Sequence, residues 1–544
     1  MQRIYFGPHV LSRLLGAVSL CFAPAFGTPA WGADGGFSRE GMIADYHAEM
    51  REQNPRADGV RHFDTPALIE KLKELHVTAF FFLIHSQPSD WDDFKEEFVP
   101  AAQRVGIDAW AYLVPPSECC AMPFGNDYVR WATELATLST RYPNLKGFAI
   151  DDFEYNLKLY TPEYIGNMVR AAKAVNPQFR FFPQVYWRVS ANPSFLDSYA
   201  PVIDGLIMAY RDDPHTNTYR STSFEEQIGK TEEMLAARHL ALVLMVYCNP
   251  LGRNPVPPPA AYIGKLVRAG LEDMREGKLF GVVTYVLDKG GQPAPPSLNR
   301  AHSGSGRATF LIAGPILVEG KSGEISRTIS VDPNAAACAV SFWHTHSATR
   351  APQGVYSAQV LLDDRVVWEE DVAAGPPDQW RREHVEIGSA LKGMNTATLR
   401  FRVTNKRRVT SLDMNLGFDD IGAEGFRLEN PGFESDAGWT AKATDPAILP
   451  LTDIFDPLRP IRSFATVRDL YGPYALVQRA AQSCPQGRVN ADADAFLRVW
   501  RAGDFLRAAG LANSLAKAAA KGRCTVLADQ AQRVAADLRG IQSR

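Results

Sequence analysis

Residues 145–187 read LKGFAIDDFEYNLKLYTPEYIGNMVRAAKAVNPQFRFFPQVYW. The opening run is apolar except for Lys146 and its final Asp151, which predicts a strand over 145–151. Ile165, Met168, Val169 and Ala172 recur at helical spacing and predict a helix over 162–175. A second strand follows over 179–186. Strands without polar alternation are buried on both faces, as in parallel sheets. The same theme repeats on either side. Further strands are predicted at 42–46, 77–85, 107–114, 202–210, 240–248 and 280–287. Helices are predicted at 65–75, 91–105, 127–141, 223–238 and 260–276. Eight strands alternating with helices over about 250 residues give a (β/α)8 TIM barrel spanning 36–295.

Beyond a Gly/Pro-rich exit at 289–296 the pattern changes. Residues 308–428 carry short alternating runs between turn residues and predict an antiparallel β-sandwich of the jelly-roll kind. Residues 429–462 hold seven prolines or glycines and read as a linker. Residues 463–544 are Ala/Leu/Arg-rich with helical spacing and predict a small helical domain. A multidomain chain accounts for the 544 residues.

Residues 1–33 read as an export signal: Arg3 and Arg13, an apolar stretch over 14–26, then Ala23, Ala25, Ala30 and Ala33. A secreted or periplasmic location is therefore expected. No later run is apolar for the ~18 residues a membrane span needs. Without Arg3 and Arg13, 56 basic residues face 61 acidic ones. That balance offers no field for nucleic acid or anionic membrane. Cys484 and Cys524 flank one helical stretch and are the expected disulfide, with Cys119 or Cys120 facing Cys248 as a second candidate. No Cys-x-x-Cys, dinucleotide fingerprint, phosphate loop or nucleophile elbow is present, so no cofactor or metal is expected. His344 and His346 share a strand face, but no third ligand accompanies them.

Catalytic groups of TIM barrels stand at the C-terminal strand ends. The fourth strand ends in Asp151, Asp152 and Glu154. Three carboxylates in four residues repel one another, so one is expected to keep its proton near neutral pH and to suit general acid catalysis. Other strand ends contribute His85, Gln184, Tyr186, Trp187, Tyr210, Asp212, Tyr247, Asn249 and Tyr285 as substrate-binding candidates. Tyrosine and tryptophan faces suit sugar C–H groups, though core packing is the competing reading for Tyr186 and Tyr285. His47 and His85 would serve sugar hydroxyls.

Asp152-Phe153-Glu154-Tyr155 resembles the fourth-strand motif of the family 18, chitinase-like glycoside hydrolases. Met208-Ala209-Tyr210-Arg211-Asp212 is similar to that family's sixth strand. Asp151-Asp152 resembles the paired aspartates of the family 84 N-acetylglucosaminidases. The chain departs from the first pattern at Ile150, where another Asp belongs, at the inserted Arg211, and at Tyr285 in place of a tryptophan. The resemblance implies a secreted retaining glycosidase for a glycan with N-acetylated sugar, the acetamido oxygen being the nucleophile. In one register Glu154 is the acid and Asp152 its partner; in the other Asp152 is the acid and Asp151 its partner. The first is slightly preferred. Two other readings stay open: a non-catalytic glycan-binding protein, and a hydrolase using Asp212 or Asp288 as nucleophile. Residues 360–368 and 396–403, with Phe418-Asp419-Asp420-Ile421, resemble carbohydrate-binding jelly rolls, which makes Trp343 and Trp380 candidate sugar platforms.

Overall fold

The computed structural model describes residues 41–541, except 47–49, 86, 119–120, 214–215, 251–255, 288–292, 348–352, 411–413, 436, 484–486 and the side chains of 483, 487 and 488. The signal, His47, Cys119, Cys120, Asp288 and Cys484 lie outside the described residues.

Eight parallel strands close into a barrel. They are β1 (Met42–Tyr46), β2 (Ala79–Ile84), β3 (Asp108–Leu113), β4 (Leu145–Ile150), β5 (Arg180–Val185), β6 (Gly205–Ala209), β7 (Ala241–Tyr247) and β8 (Gly281–Tyr285). β2 and β7 are buried along their whole length, as the unbroken apolar runs require. The barrel interior is aromatic: Trp110 packs 5.5 Å from Phe81 and 4.9 Å from Phe182. Gly147 makes room for it. A Cβ there would collide with the Arg180 carbonyl and come within 2.6 Å of the Trp110 ring. Gly147→Ala is therefore expected to cost about 1–3 kcal/mol of stability by overpacking, measured by denaturant unfolding.

The sandwich consists of two antiparallel sheets around an apolar core that includes Phe310, Phe342, Phe401 and Phe418. It extends further than expected. Thr440–Ala443 and Ile448–Ile454 pair with Ser322–Val331 and Gly306–Ile312 respectively. Residues 429–462 are thus no linker. Pro431, Gly432, Gly438 and Pro446 serve turns around the last strands, Pro457 and Pro460 open the helix that follows, and Pro450 sits on an edge strand, where a missing N–H does no harm. His302 stacks 3.9 Å from the Trp343 ring and is held by Asp420 at 2.6 Å. That face of the expected sugar platform is occupied by the protein's own imidazole.

Four helices follow: Arg459–Ser483, Gly487–Arg501, Phe505–Lys521 and Thr525–Ile541. The first runs from the end of β7, at Arg459, to the strand beginnings, at Arg479, where residues 523–527 also cover the barrel; all four share one apolar core with it. Tyr471 donates to the Ala44 carbonyl at 2.9 Å, and His76 meets Asp537 at 2.8 Å. Among the described residues no helix is long and apolar enough to cross a membrane.

Cys524 is disulfide-bonded. Cys248 and Cys338 are buried free thiols, so the pairing of Cys248 with Cys119 or Cys120 is ruled out. The Cys248 thiol lies 3.6 Å from the Val246 carbonyl, and Arg459 holds the Cys248 carbonyl at 3.1 Å.

Candidate active site

The strand β4 stops at Ile150, and Asp152 turns the chain in the left-handed region at φ 40°, ψ 40°. A single-turn helix, Phe153–Asn156, follows. Aspartate tolerates this conformation better than most side chains, and such strain gathers at functional sites. The turn breaks the strand's in-out alternation. Asp151 keeps the inward parity of Gly147 and Ala149, while Asp152 is freed from the outward one.

Asp151 accepts from the Tyr112 hydroxyl at 2.9 Å and from the Asp152 amide at 3.0 Å. Burial, then the charges of Asp152 and Glu118, push its carboxyl up to about 7. Asp152 accepts from the Tyr186 hydroxyl at 2.7 Å. Its amide donates to the Gln184 side-chain oxygen at 2.9 Å. Gln184 is itself buried, so it fixes the turn rather than facing a ligand. Glu154 accepts from the Tyr186 amide at 2.8 Å. Burial raises its carboxyl against the pull of that amide and of Arg211. Glu118, on the loop after β3, is raised by burial and then by Asp152.

The other strand ends surround the pair with phenols. Tyr46 of β1 lies 4.2 Å from Tyr112 and 5.0 Å from Tyr285, ring centre to ring centre. Tyr247 lies 4.7 Å from Tyr285, and its hydroxyl donates to that of Tyr186 at 3.5 Å. Tyr46, Tyr247 and Tyr285 share one level of the barrel, because Tyr285 is in register with both others. Burial raises all five phenols above their ordinary range. They stay neutral hydrogen-bond donors at any physiological pH. The Arg211 guanidinium caps the Tyr186 ring at 3.4 Å, a cation–π contact. Tyr155 stands exposed at the rim, 6.0 Å from Tyr186.

Asp151, Asp152, Glu154, Tyr186, Tyr247 and Tyr285 thus come together. Other sequence candidates do not join them. Tyr210 is fully buried against Phe224, and Asp212 is spent on the helix that follows. Burial pushes the Asp212 carboxyl up, but hydrogen bonds from Ser223, Thr222 and Tyr210 hold it below its ordinary value. Three of these bonds are 2.7 Å long. Asp212→Ala would strand buried donors, so a loss of about 2–4 kcal/mol in unfolding free energy is expected, with turnover by the folded variant unchanged. Trp187 begins the short helix Trp187–Ser190 and lies 5.8 Å from the Lys230 ammonium of a barrel helix. Asn249 donates to the Val286 carbonyl and accepts from Arg459, tying β7, β8 and the helical domain together. His85 sits half-buried near Glu118 with its Nε2 unbonded.

Tyr46 and Arg211, strand-end residues given no role from the sequence, join the site, as do Tyr112 and Glu118, which the strand ends did not name. Tyr46 and Tyr112 were detectable as the last inward-facing residues of their strands. Glu118 carries no sequence signal, since a loop brings it in.

One group among the described residues has metal-ligand reach: His62, Asp93 and Glu97. Both nitrogens of His62 already bond carboxylates, Asp93 at 2.6 Å and Asp58 at 2.8 Å, and Arg56 holds Glu97. The cluster is an ion-pair network. His346 bonds the Gly375 carbonyl at 3.0 Å, and the buried His344 faces Glu370 and Glu383 at 3.7 and 3.5 Å.

No protein-family model matches the chain, and no curated relative is found. Solved structures do align. A glucosidase from Croceicoccus marinus matches at 11% identity and TM-score 0.35, over 72% of this chain and 97% of its own. An alpha-L-arabinofuranosidase from Thermotoga maritima matches at 10% and 0.34, over 70% and 97%. A family 5 glycoside hydrolase from Prevotella bryantii matches at 12% and 0.33, over 48% and 92%. Likenesses this weak say nothing of substrate or mechanism.

Proposed function

We propose that the protein is a secreted glycoside hydrolase whose acid machinery is the Asp151–Asp152 pair. The observation that carries this reading is a carboxyl pushed up to about 7 beside a second carboxylate, at the C-terminal mouth of a barrel lined with neutral phenols. Burial keeps a proton on Asp151 up to near neutral pH, beside the Asp152 carboxylate. The tyrosines offer C–H-compatible faces and hydroxyl donors for a sugar ring.

The mechanism that fits is substrate-assisted retention on an N-acetylated sugar. Asp151, at the floor, accepts the acetamido N–H and hands its proton to Asp152. The acetamido oxygen attacks the anomeric carbon, forming a C–O bond as the glycosidic bond breaks. Asp152 gives its proton to the departing oxygen. Water then attacks the anomeric carbon from the leaving-group side, giving a proton to Asp152 as base, and the bond from that carbon to the acetamido oxygen breaks as the new C–O bond forms. Among the described residues the strand ends facing the pair carry phenols, which supports a nucleophile supplied by the substrate, with the loop carboxylate Glu118 as the enzyme's alternative. Glu154, bonded to the Tyr186 amide, orients that tyrosine; this favours the family 84 register over the one placing the acid at Glu154.

The test compares aryl 2-acetamido-2-deoxyglycosides with the matching aryl hexosides. Turnover of the acetamido series alone, blocked by a thiazoline mimic of the cyclised intermediate, is expected. Equal turnover of both series would transfer the nucleophile to an enzyme carboxylate.

A further inference from the structure

At the opposite end of the barrel a cavity of about 680 Å3 lies between the strand beginnings and the helical domain. Among the described residues, four cationic side chains line it, Lys146, Arg180, Arg479 and Arg523, against one carboxylate, Asp108. Arg479 is 6% exposed. Its terminal nitrogens donate to the carbonyls of Gly106 and Val77, and its Nε is buried without a hydrogen-bond partner. Neutral carbonyls orient this guanidinium but leave its charge uncompensated, and burying such a charge is costly. Asp108 is the carboxylate within its electrostatic reach. The same Asp108 also faces Lys146 at 3.7 Å and feels Arg180.

Arg479 and Lys146 thus share one acid on the cavity wall, and it serves them poorly. Burial pushes Asp108 up to about 6 in spite of them. Lys146 and Asp108 nonetheless keep 45% and 40% side-chain exposure, because they open onto the cavity. Trp110 and Phe280 supply an apolar wall, with the Arg180 guanidinium 5.3 Å from the Phe280 ring. Arg523, at φ 63°, holds the rim beside the disulfide-bonded Cys524. An apolar wall with convergent charged groups is the usual make-up of a small-molecule site, and the volume falls in the usual range. Arginine forks match phosphoryl and carboxylate oxygens in pairs.

We propose that this cavity is a second ligand site, taking a small organic molecule that carries two or more oxyanion groups. It lies a strand length from Asp151, roughly 20 Å at 3.3 Å per residue, and is independent of the glycosidase reading.

The test is calorimetric titration of the full chain with pyrophosphate and, separately, with citrate. Saturable one-to-one binding of at least one is expected, weakened tenfold or more in both Lys146→Gln and Arg523→Gln. Asp108→Asn should tighten it, and Asp152→Asn should leave it unchanged. Tighter pyrophosphate marks a phosphoryl ligand; tighter citrate marks a polycarboxylate. Failure of both anions to saturate, or affinity unchanged in the Lys146 and Arg523 variants, would overturn the proposal. Both substitutions are at solvent-accessible side chains, so folding is retained and checked by unfolding midpoint.

Discussion

Asp152→Asn is expected to lower kcat on an aryl glycoside with a poor leaving group by about 100- to 10,000-fold, the range lost when a general acid is removed. The same variant should lose much less on a dinitrophenyl glycoside, whose leaving group departs without a proton. Asp151→Asn should behave differently. It removes the group that accepts the acetamido N–H, so its loss should be large whatever the leaving group. The asymmetry follows from position: Asp151 faces the barrel axis under Tyr112, whereas Asp152 follows it past the turn, under Tyr186. The measurement is kcat across a leaving-group series for both variants. Parallel slopes for the two would refute the division of labour.

Asp151→Asn should also stabilise the protein at neutral and alkaline pH. Burial holds the Asp151 carboxyl near 7, well above the 3.8 of a free aspartate. A carboxyl raised on folding opposes folding wherever it must ionise. The penalty is absent below about pH 4, grows between 4 and 7, and is constant above. At about 1.4 kcal/mol for each tenfold gain in proton affinity, and with relaxation of the pocket, it comes to about 2–4 kcal/mol. Asparagine carries no such penalty. Denaturant unfolding should show the variant ahead of wild type at pH 8, with the gap closing as the pH falls to 4. A pH-independent gap would mean that Asp151 titrates normally. A residue that destabilises the fold while serving its chemistry is the usual trade at an active site.

The barrel was legible because its strands are buried on both faces and read as unbroken apolar runs. β4 shows this best: its run is apolar but for Lys146, and its small Gly147 leaves the space that the Trp110 ring fills. The carboxylate cluster was legible for the same reason: polar residues directly after such a run must lie at the barrel mouth. Which of those carboxylates face inward was not. That depends on the left-handed turn at Asp152, which no glycine marks. Tyr210 and Asp212 stand apart from the site because the inward parity of β6 does not reach them. Tyr210 follows the last strand residue, Ala209, and its hydroxyl turns to Asp212 and the succeeding helix. The late sandwich strands were hidden because prolines and glycines in 429–462 mark turns as readily as linkers. The cationic cavity had no signature, since Lys146, Arg180, Arg479 and Arg523 converge only when the helical domain docks.

The pH dependence of kcat/KM tests the central claim most directly. Its alkaline limb reports the protonated acid of the free enzyme. For wild type acting on an aryl 2-acetamido-2-deoxyglycoside, the account predicts an alkaline limb near pH 7, set by the buried Asp151 carboxyl, and loss of most activity in Asp152→Asn. Turnover of no glycoside at any pH, or an Asp152→Asn variant with the rate and profile of wild type, would contradict it.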